Sequence, residues 1–218
     1  MENLLVNKRI YEDLTKEYKT SGYYSELIFL DRQEYADFLE LGGNIFVFLG
    51  RSGAGKTTLA NILTRKKGLS FLPRITTRPK RKDEQETEYL FKDISLLEEK
   101  ELFSLKKYSG NYYALDRNTL IASLQSDEGK ILIAGTYEGF LLKDIFPRIS
   151  LVYIDSDENM ARFSVKGRND AVQYEMRHYL QGLDELSRNF SDYIVFNERD
   201  KLDQTLRVLE SIVYSKKS

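Results

Sequence analysis

From residue 44 onward, short apolar runs alternate with segments whose apolar residues recur at helical spacing. Continuous apolar runs are typical of strands buried on both faces, and the spacing i, i+3, i+4 is typical of helices packed on a sheet. The predicted strands are 45–49, 89–91, 102–108, 111–114, 130–134, 149–154 and 193–196. The predicted helices are 56–65, 94–101, 117–125, 138–145, 157–166, 171–187 and 202–213. This alternation predicts an α/β fold with a central parallel sheet covered on both faces.

Two segments depart from the alternation. Short strands cluster between about 85 and 115, which indicates a small inserted sub-domain. Residues 1–43 precede the first core strand, and their apolar positions favour two amphipathic helices, the second ending at Gly42 and Gly43. We therefore expect an N-terminal helical extension over 1–43. Whether it covers apolar surface, forms a dimer contact or regulates the site stays open, and so does the oligomeric state.

Residues 50–57 fit the pattern G-x-x-x-x-G-K-[ST] at every fixed position. The loop follows a predicted strand and opens a predicted helix, which is the context that this phosphate-binding motif requires. Backbone N–H groups and the helix N-terminus would face the anion, Lys56 would add a point charge, and the Thr57 hydroxyl would be a magnesium ligand. The loop therefore predicts a site for the phosphates of a nucleoside triphosphate with Mg²⁺.

Composition narrows the remaining choices. The chain has 33 basic and 34 acidic residues, no cysteine and one histidine, His178. Near-neutral charge gives no argument for nucleic acid or a membrane surface as partner. Without cysteine there is no disulfide, thiolate zinc site or cysteine nucleophile. Its apolar runs are too short to cross a bilayer and its N-terminus does not resemble a secretory signal, so we expect a cytoplasmic protein.

Two further motifs point to a second phosphate. A basic stretch spans residues 74–81, where Pro79 keeps the backbone out of a helix, and Arg78 and Arg81 are spaced to fork around one phosphate. Residues 109–113 read Ser-Gly-Asn-Tyr-Tyr, a turn that presents tyrosine hydroxyls. Taken alone, residues 74–81 are also compatible with a solvated basic loop, and residues 109–113 are also compatible with an ordinary hairpin.

The combined motifs resemble guanylate kinase from Asn44 to about Val213. They are the phosphate loop, T-T-R-P-x-R at 76–81, S-G-N-Y-Y at 109–113, R-x-x-x-[RK]-G at 162–167, Arg177, and a late strand ending in Asn197. The resemblance implies a P-loop NTPase three-layer α/β fold in residues 44–218. An acceptor-binding mixed β insertion would span about 74–115 and a helical lid region about 157–187. It also implies ATP-dependent, magnesium-assisted phosphorylation of a nucleoside monophosphate such as GMP or dGMP.

Carried over residue by residue, the resemblance implies four sets of site residues. The catalytic set is Lys56, Arg162, Lys166 and Arg177, with Lys166 standing where the family usually has arginine. The set that binds ATP and its phosphates is Gly50, Ser52, Gly53, Ala54, Gly55, Lys56, Thr57, Thr58 and Asn197. The acceptor-binding set is Arg78, Arg81, Tyr89, Ser104, Tyr113 and Thr136. The metal ligand is Thr57.

The guanine-reading positions depart from the family. Guanylate kinases commonly have Ser at the position of Arg74, Glu at that of Ser104, and a D-x-D pair at Ala134 and Thr136. A site that loses the acceptors for a substrate N–H loses discrimination on the order of 10⁴. The alternatives are the same chemistry on a non-guanine nucleotide or phosphosugar, and a non-catalytic phosphopeptide-binding module. Glu138 and Asp155 are the candidates to replace the acidic residue missing at Ala134, which lies near magnesium in the family.

Overall fold

The computed structural model describes residues 24–28, 32–66, 68–80, 88–92, 98–108, 110–157, 181–198 and 200–215. Its centre is a five-stranded sheet in the order β10-β9-β2-β8-β3, and all of its strand pairs are parallel. The strands of this central sheet are β2 (Ile45–Leu49), β3 (Leu69–Phe71), β8 (Gly129–Ile133), β9 (Ser150–Ser156) and β10 (Tyr193–Asn197).

A second sheet of five strands, here the mixed sheet, has the order β1-β6-β7-β4-β5. Only the pairing of β4 with β5 is parallel; its other strand pairs are antiparallel. Its strands are β1 (Tyr24–Ile28), β4 (Arg74–Thr76), β5 (Tyr89–Phe91), β6 (Leu102–Tyr108) and β7 (Asn111–Asp116).

Helices cover the central sheet on both faces, as the side chains of β2 require. Ile45, Val47 and Leu49 belong to one core cluster, and Phe46 and Phe48 belong to the other. Alternate residues of a strand point to opposite faces, so a continuous apolar run fills both cores. The α-helices of the described residues are α1 (Lys56–Leu63), α2 (Arg117–Leu124), α3 (Thr136–Ile145), α4 (Gln181–Phe190) and α5 (Leu202–Ser215). Helices α1 and α5 pack in the cluster of Phe46, and α2, α3 and α4 pack in the other.

The predicted fold class is confirmed: a parallel central sheet between helices, with an inserted mixed sheet. The seven predicted strands are all present, whereas β1, β3 and β4 were not predicted. Of the helix predicted at 94–101, the described part is a 3-10 turn, Glu99–Glu101. Of the helix predicted at 157–166, all but residue 157 lies outside the described residues.

The prediction that the N-terminal extension is helical is wrong in part. Arg32–Phe38 is a 3-10 helix, but Tyr24–Ile28 is a strand that pairs antiparallel with β6. Without β1, the outer edge of β6 would leave its backbone N–H and C=O groups unpaired. An extended segment beside β6 satisfies these groups, which explains why residues 24–28 form a strand. The first predicted helix, built on Leu4 to Tyr18, lies outside the described residues. Among the residues that the structure describes, no helix is long and apolar enough to cross a membrane.

Candidate active site

The loop after β2 has the backbone that the motif predicts. Gly50, Gly53 and Gly55 all have positive φ, at 127°, 86° and 88°. At Gly50 a Cβ would meet the carbonyl oxygen of Ile154 at 2.3 Å, so only glycine fits between β2 and β9. Helix α1 begins at Lys56 directly after the loop. Its free N–H groups therefore open toward the space that the loop encloses.

Side chains hold this loop from both sides. Lys56 Nζ donates to the carbonyl oxygens of Gly50 at 2.6 Å and Arg51 at 2.8 Å. Asn197 is buried at the end of β10, and its amide donates to the carbonyl oxygen of Ala54 at 2.8 Å. The structure thus gives Asn197 a loop-positioning contact, and its predicted place near the adenine of ATP stays a prediction.

Three of the four residues predicted to bind the acceptor phosphate lie together on the mixed sheet. The Tyr89 and Tyr113 rings pack edge to face with centroids 6.0 Å apart. The Arg78 guanidinium carbon lies 5.3 Å from the Tyr89 ring centroid and 5.7 Å from that of Phe91. A guanidinium and two phenols in one cluster are donors suited to phosphate oxygens. The fourth residue, Arg81, lies outside the described residues.

The hydroxyl of Tyr89 stays protonated over a wide pH range. Burial raises its pKa well above the ordinary value of 10.0, and the neighbouring Glu88 carboxylate, which is hydrogen-bonded to it, raises the pKa further. Arg74 opposes this shift less strongly. Tyr89 is therefore a neutral hydrogen-bond donor under all ordinary conditions.

A buried ion pair involves Arg74, one of the positions where the resemblance implies guanine-reading residues. Arg74 Nη2 lies 3.1 Å from Oε1 and 3.0 Å from Oε2 of Glu138, on α3. Arg74 Nη1 donates to the carbonyl oxygen of Ile133 at 3.2 Å, and Ser104 Oγ donates to Glu138 Oε1. Arg74 is 6% exposed and Glu138 is fully buried. Glu138 is thus held by Arg74 and Ser104, and these contacts do not support its candidacy as the magnesium-facing carboxylate.

The neighbouring positions add no exposed carboxylate. Thr136 Oγ1 lies 2.5 Å from Ser187 Oγ of α4. A Cβ placed on Gly135 would meet Lys106 Nζ at 2.7 Å, so a second cation lies against the turn between Ala134 and Thr136. At the two positions where the resemblance implies acidic acceptors, the structure thus has Ser104 and Thr136, and the nearby Glu138 is buried against Arg74.

The lid residues Arg162, Lys166 and Arg177 lie outside the described residues, and their roles stay predictions. Asp155, the second carboxylate considered for magnesium, lies with Oδ2 3.3 Å from Arg188 Nε and accepts from the Ser156 N–H at 2.9 Å. It is thus held by a cation of α4.

Sequence reasoning missed one site residue, Glu88. Its carboxylate oxygen Oε1 lies 3.5 Å from Thr57 Oγ1, and the residue is 5% exposed. Hydroxyl and carboxylate oxygens are ligands that suit Mg²⁺, so these two residues fit the metal that accompanies ATP. Its place directly before Tyr89 was the signal available in the sequence.

A glycine loop between a parallel strand and a helix, together with a cluster of one guanidinium and two phenols, is the arrangement expected of a P-loop phosphotransferase. The family model described as "Guanylate kinase" matches residues 42–216. The chain therefore belongs to the guanylate kinase family and is a nucleoside monophosphate kinase.

Individual relatives agree with this assignment. Guanylate kinase of Trichodesmium erythraeum is 27% identical over 79% of this chain and 96% of its own length. Guanylate kinase of Mycoplasma genitalium is 31% identical over 79% of this chain and 76% of its own length. The crystal structure of guanylate kinase from Anaplasma phagocytophilum has a TM-score of 0.56 at 18% identity, covering 83% of this chain and 89% of that one, and so supports the fold.

Proposed function

We propose that this chain transfers the γ-phosphoryl group of ATP to the phosphate of a nucleoside monophosphate, with GMP and dGMP as the acceptors that its family indicates. One observation carries the proposal: the Thr57–Glu88 contact of 3.5 Å brings the phosphate loop against the strand that presents Tyr89. The donor and acceptor phosphates would therefore meet between these two elements.

Phosphoryl transfer requires that the two phosphates be positioned and that their charge be neutralised, and it does not require a nucleophile from the protein. Phosphoryl transfer is catalysed mainly by holding both phosphates in line and by neutralising the developing charge. Lys56 and the N–H groups of the loop would hold the triphosphate, while Arg78, Tyr89 and Tyr113 would hold the acceptor. Thr57 and Glu88 would hold Mg²⁺, which neutralises charge on the β- and γ-phosphates. A phosphopeptide-binding module has no need of Lys56 and Thr57, so the complete loop supports catalysis.

The Arg74–Glu138 pair favours a second candidate, a monophosphate of a base other than guanine. Guanine presents N–H donors at its N1 and exocyclic amine. The Glu138 carboxylate, which could accept from them, is buried and already held by Arg74 and Ser104. Guanine N–H groups left without an acceptor in a buried site are strongly penalised. A base that does not present these two N–H donors would match the site better.

The test is ADP release from ATP and Mg²⁺ with a panel of nucleoside monophosphates and phosphosugars. Turnover with GMP or dGMP alone supports the first candidate, and turnover with another nucleotide supports the second. Phosphosugar turnover would contradict the nucleotide assignment. ATP binding without turnover of any acceptor would contradict catalysis.

A further inference from the structure

We propose that helix α4 couples ATP binding to acceptor binding, with Asp184 and Ser187 as positioning residues. This coupling rests on the proposed function, because it concerns how the two substrates of that reaction affect each other's binding. Both residues act through a residue of the site that they contact. Asp184 contacts Arg51 in the phosphate loop, and Ser187 contacts Thr136 at the start of α3.

The contact on the donor side is an ion pair between the phosphate loop and α4. Arg51 Nε lies 3.5 Å from Asp184 Oδ2, and the Arg51 guanidinium also hydrogen-bonds to the hydroxyl of Tyr153, which is buried on β9. Arg51 fills a variable position of the motif, where phosphate binding requires no particular side chain. The Arg51 side chain can therefore tie the loop to the helix without loss of the motif.

The contact on the acceptor side lies one turn further along α4. Ser187 is buried, and its Oγ lies 2.5 Å from Oγ1 of Thr136, a candidate acceptor-binding residue. Positions three apart on a helix share a face, so Asp184 and Ser187 are neighbours on one side of α4. The next residue, Arg188, lies with Nε 3.3 Å from Asp155 Oδ2 and holds α4 against the end of β9. One helix face therefore reaches both substrate sites.

The packing of α4 makes this helix a rigid connection. Leu183 and Leu186 are buried in the core cluster that also contains Phe140 and Leu142 of α3. A close-packed protein interior has low compressibility and transmits a displacement to its neighbours. A shift of α4 at Asp184 would therefore be felt at the start of α3.

ATP would change the contacts at the donor end of this connection. Lys56 Nζ donates to the carbonyl oxygen of Arg51 at 2.8 Å, and the phosphates of ATP would compete for the same ammonium group. The Arg51 side chain would pass the resulting adjustment to Asp184, and Ser187 would pass it to Thr136. Whichever substrate binds first fixes α4, so the second binds to a site that is already arranged. Each substrate would therefore tighten binding of the other by the same factor.

The test is equilibrium binding of a fluorescent N-methylanthraniloyl derivative of β,γ-imido ATP, with Mg²⁺, to the full-length chain. Its dissociation constant is measured with and without a saturating nucleoside monophosphate, which is GMP, AMP, CMP or UMP, whichever the panel above shows to be turned over. The ratio of the two constants is the coupling factor. We expect a factor of about 5 or more for the wild type, and of less than about 2 for Asp184→Asn and for Ser187→Ala.

Matched controls lie on the exposed side of the same helix. Glu185→Gln and Asn189→Ala should keep the wild-type coupling factor, since both side chains are exposed. The double variant Asp184→Asn/Ser187→Ala should have no lower a factor than either single variant, because both changes break the same connection. The coupling factor is a ratio, so a loss of ATP affinity that is common to both conditions does not alter it.

A wild-type coupling factor near 1, in a protein that transfers phosphoryl groups, would overturn the coupling and leave the proposed function standing. An unchanged factor in a folded Asp184→Asn or Ser187→Ala would overturn the role of α4 in the same way. A wild type that binds the analogue but turns over no monophosphate would overturn the proposed function and the coupling with it. The thermal midpoint of each variant is recorded, and because the two variants break different contacts, either one that folds decides the matter.

Discussion

Arg74 and Glu138 form an ion pair that spans the mixed sheet and α3, with Nη2 3.0 Å from Oε2 and both side chains buried. The pair joins β4 of the mixed sheet to α3, and it keeps the Glu138 carboxylate away from solvent. Ser104, at the position where the family has a guanine-reading glutamate, donates to the same carboxylate. Two departures from the family pattern, Arg74 and Ser104, are therefore parts of one structural feature.

Removing Glu138 should destabilise the protein strongly. Glu138→Ala leaves Arg74 as an uncompensated buried cation, which costs about 3–5 kcal/mol in the free energy of unfolding. Urea unfolding measures this, with the exposed Glu128→Ala as control, which should cost no more than about 1 kcal/mol. A loss of less than about 1 kcal/mol in Glu138→Ala would show that the pair does not hold β4 and α3 together.

Restoring the family pattern at the base end should shift the acceptor preference toward guanine. In the triple variant Arg74→Ser/Ser104→Glu/Glu138→Gln, the change at Ser104 places a carboxylate on β6. The change at Glu138 removes the carboxylate beside it, and the change at Arg74 removes the cation. We expect kcat/KM for GMP, relative to CMP, UMP and AMP, to rise by at least about 10-fold, since the N–H donors of guanine regain an acceptor. An unchanged ratio in a folded variant would mean that the base does not contact this cluster.

The pH dependence of stability should carry a signature of Tyr89. Burial raises the pKa of its hydroxyl above the ordinary 10.0, so the folded protein keeps this proton more tightly than the unfolded chain. The stabilisation is complete below about pH 10 and is lost as the pH rises from there toward the folded-state pKa.

In Tyr89→Phe the decline in unfolding free energy above pH 10 should be shallower, by up to about 1.4 kcal/mol per pH unit. Burial and the Asp184 carboxylate raise the pKa of Tyr153 to about 12. Tyr153 would therefore account for part of the remaining slope. Denaturant unfolding at pH 8 to 11 measures both slopes. Parallel curves for wild type and variant would refute the burial of the Tyr89 hydroxyl.

The N-terminal segment should stabilise the acceptor side of the site. Tyr35 is fully buried, and its ring meets Phe103 of β6 and Phe146 edge to face at 5.8 and 5.7 Å. Tyr35→Ala should lower the free energy of unfolding by about 3–5 kcal/mol. Because Phe103 precedes Ser104, the KM for the acceptor should also rise while ATP affinity is kept. Leu39→Ala, at an exposed position of the same segment, should change neither; equal effects of the two variants would refute the role of Tyr35.

The central sheet could be predicted from the sequence because its strands are buried on both faces. Ile45–Leu49 is apolar at every position, so its type and burial follow from composition alone. The three-residue strands Leu69–Phe71 and Arg74–Thr76 include polar residues and do not stand out, whereas the equally short Tyr89–Phe91 is aromatic and apolar throughout and was predicted. Strand β1 was missed because its place depends on the edge of β6, which is distant in the sequence.

The candidate site was predictable in its local parts. The phosphate loop, residues 50–57, follows from a contiguous motif, whereas the grouping of Arg78 with Tyr89 and Tyr113 was implied by the resemblance to guanylate kinase. The contacts of Glu138 with Arg74 and of Glu88 with Thr57 join residues 64 and 31 positions apart, which no periodicity reveals. The sequence therefore showed that guanine-reading acids were missing, whereas only the structure shows which side chains take their places.

The most direct measurement of the central claim follows the labelled phosphoryl group from [γ-³²P]ATP. Wild type and Lys56→Ala are incubated with Mg²⁺ and each nucleoside monophosphate, and the products are separated by chromatography. We predict that label appears in a nucleoside diphosphate with the wild type, and that Lys56→Ala reduces this transfer by at least about 100-fold. Label found only as inorganic phosphate, or equal transfer by the two proteins, would contradict the two-phosphate site described here.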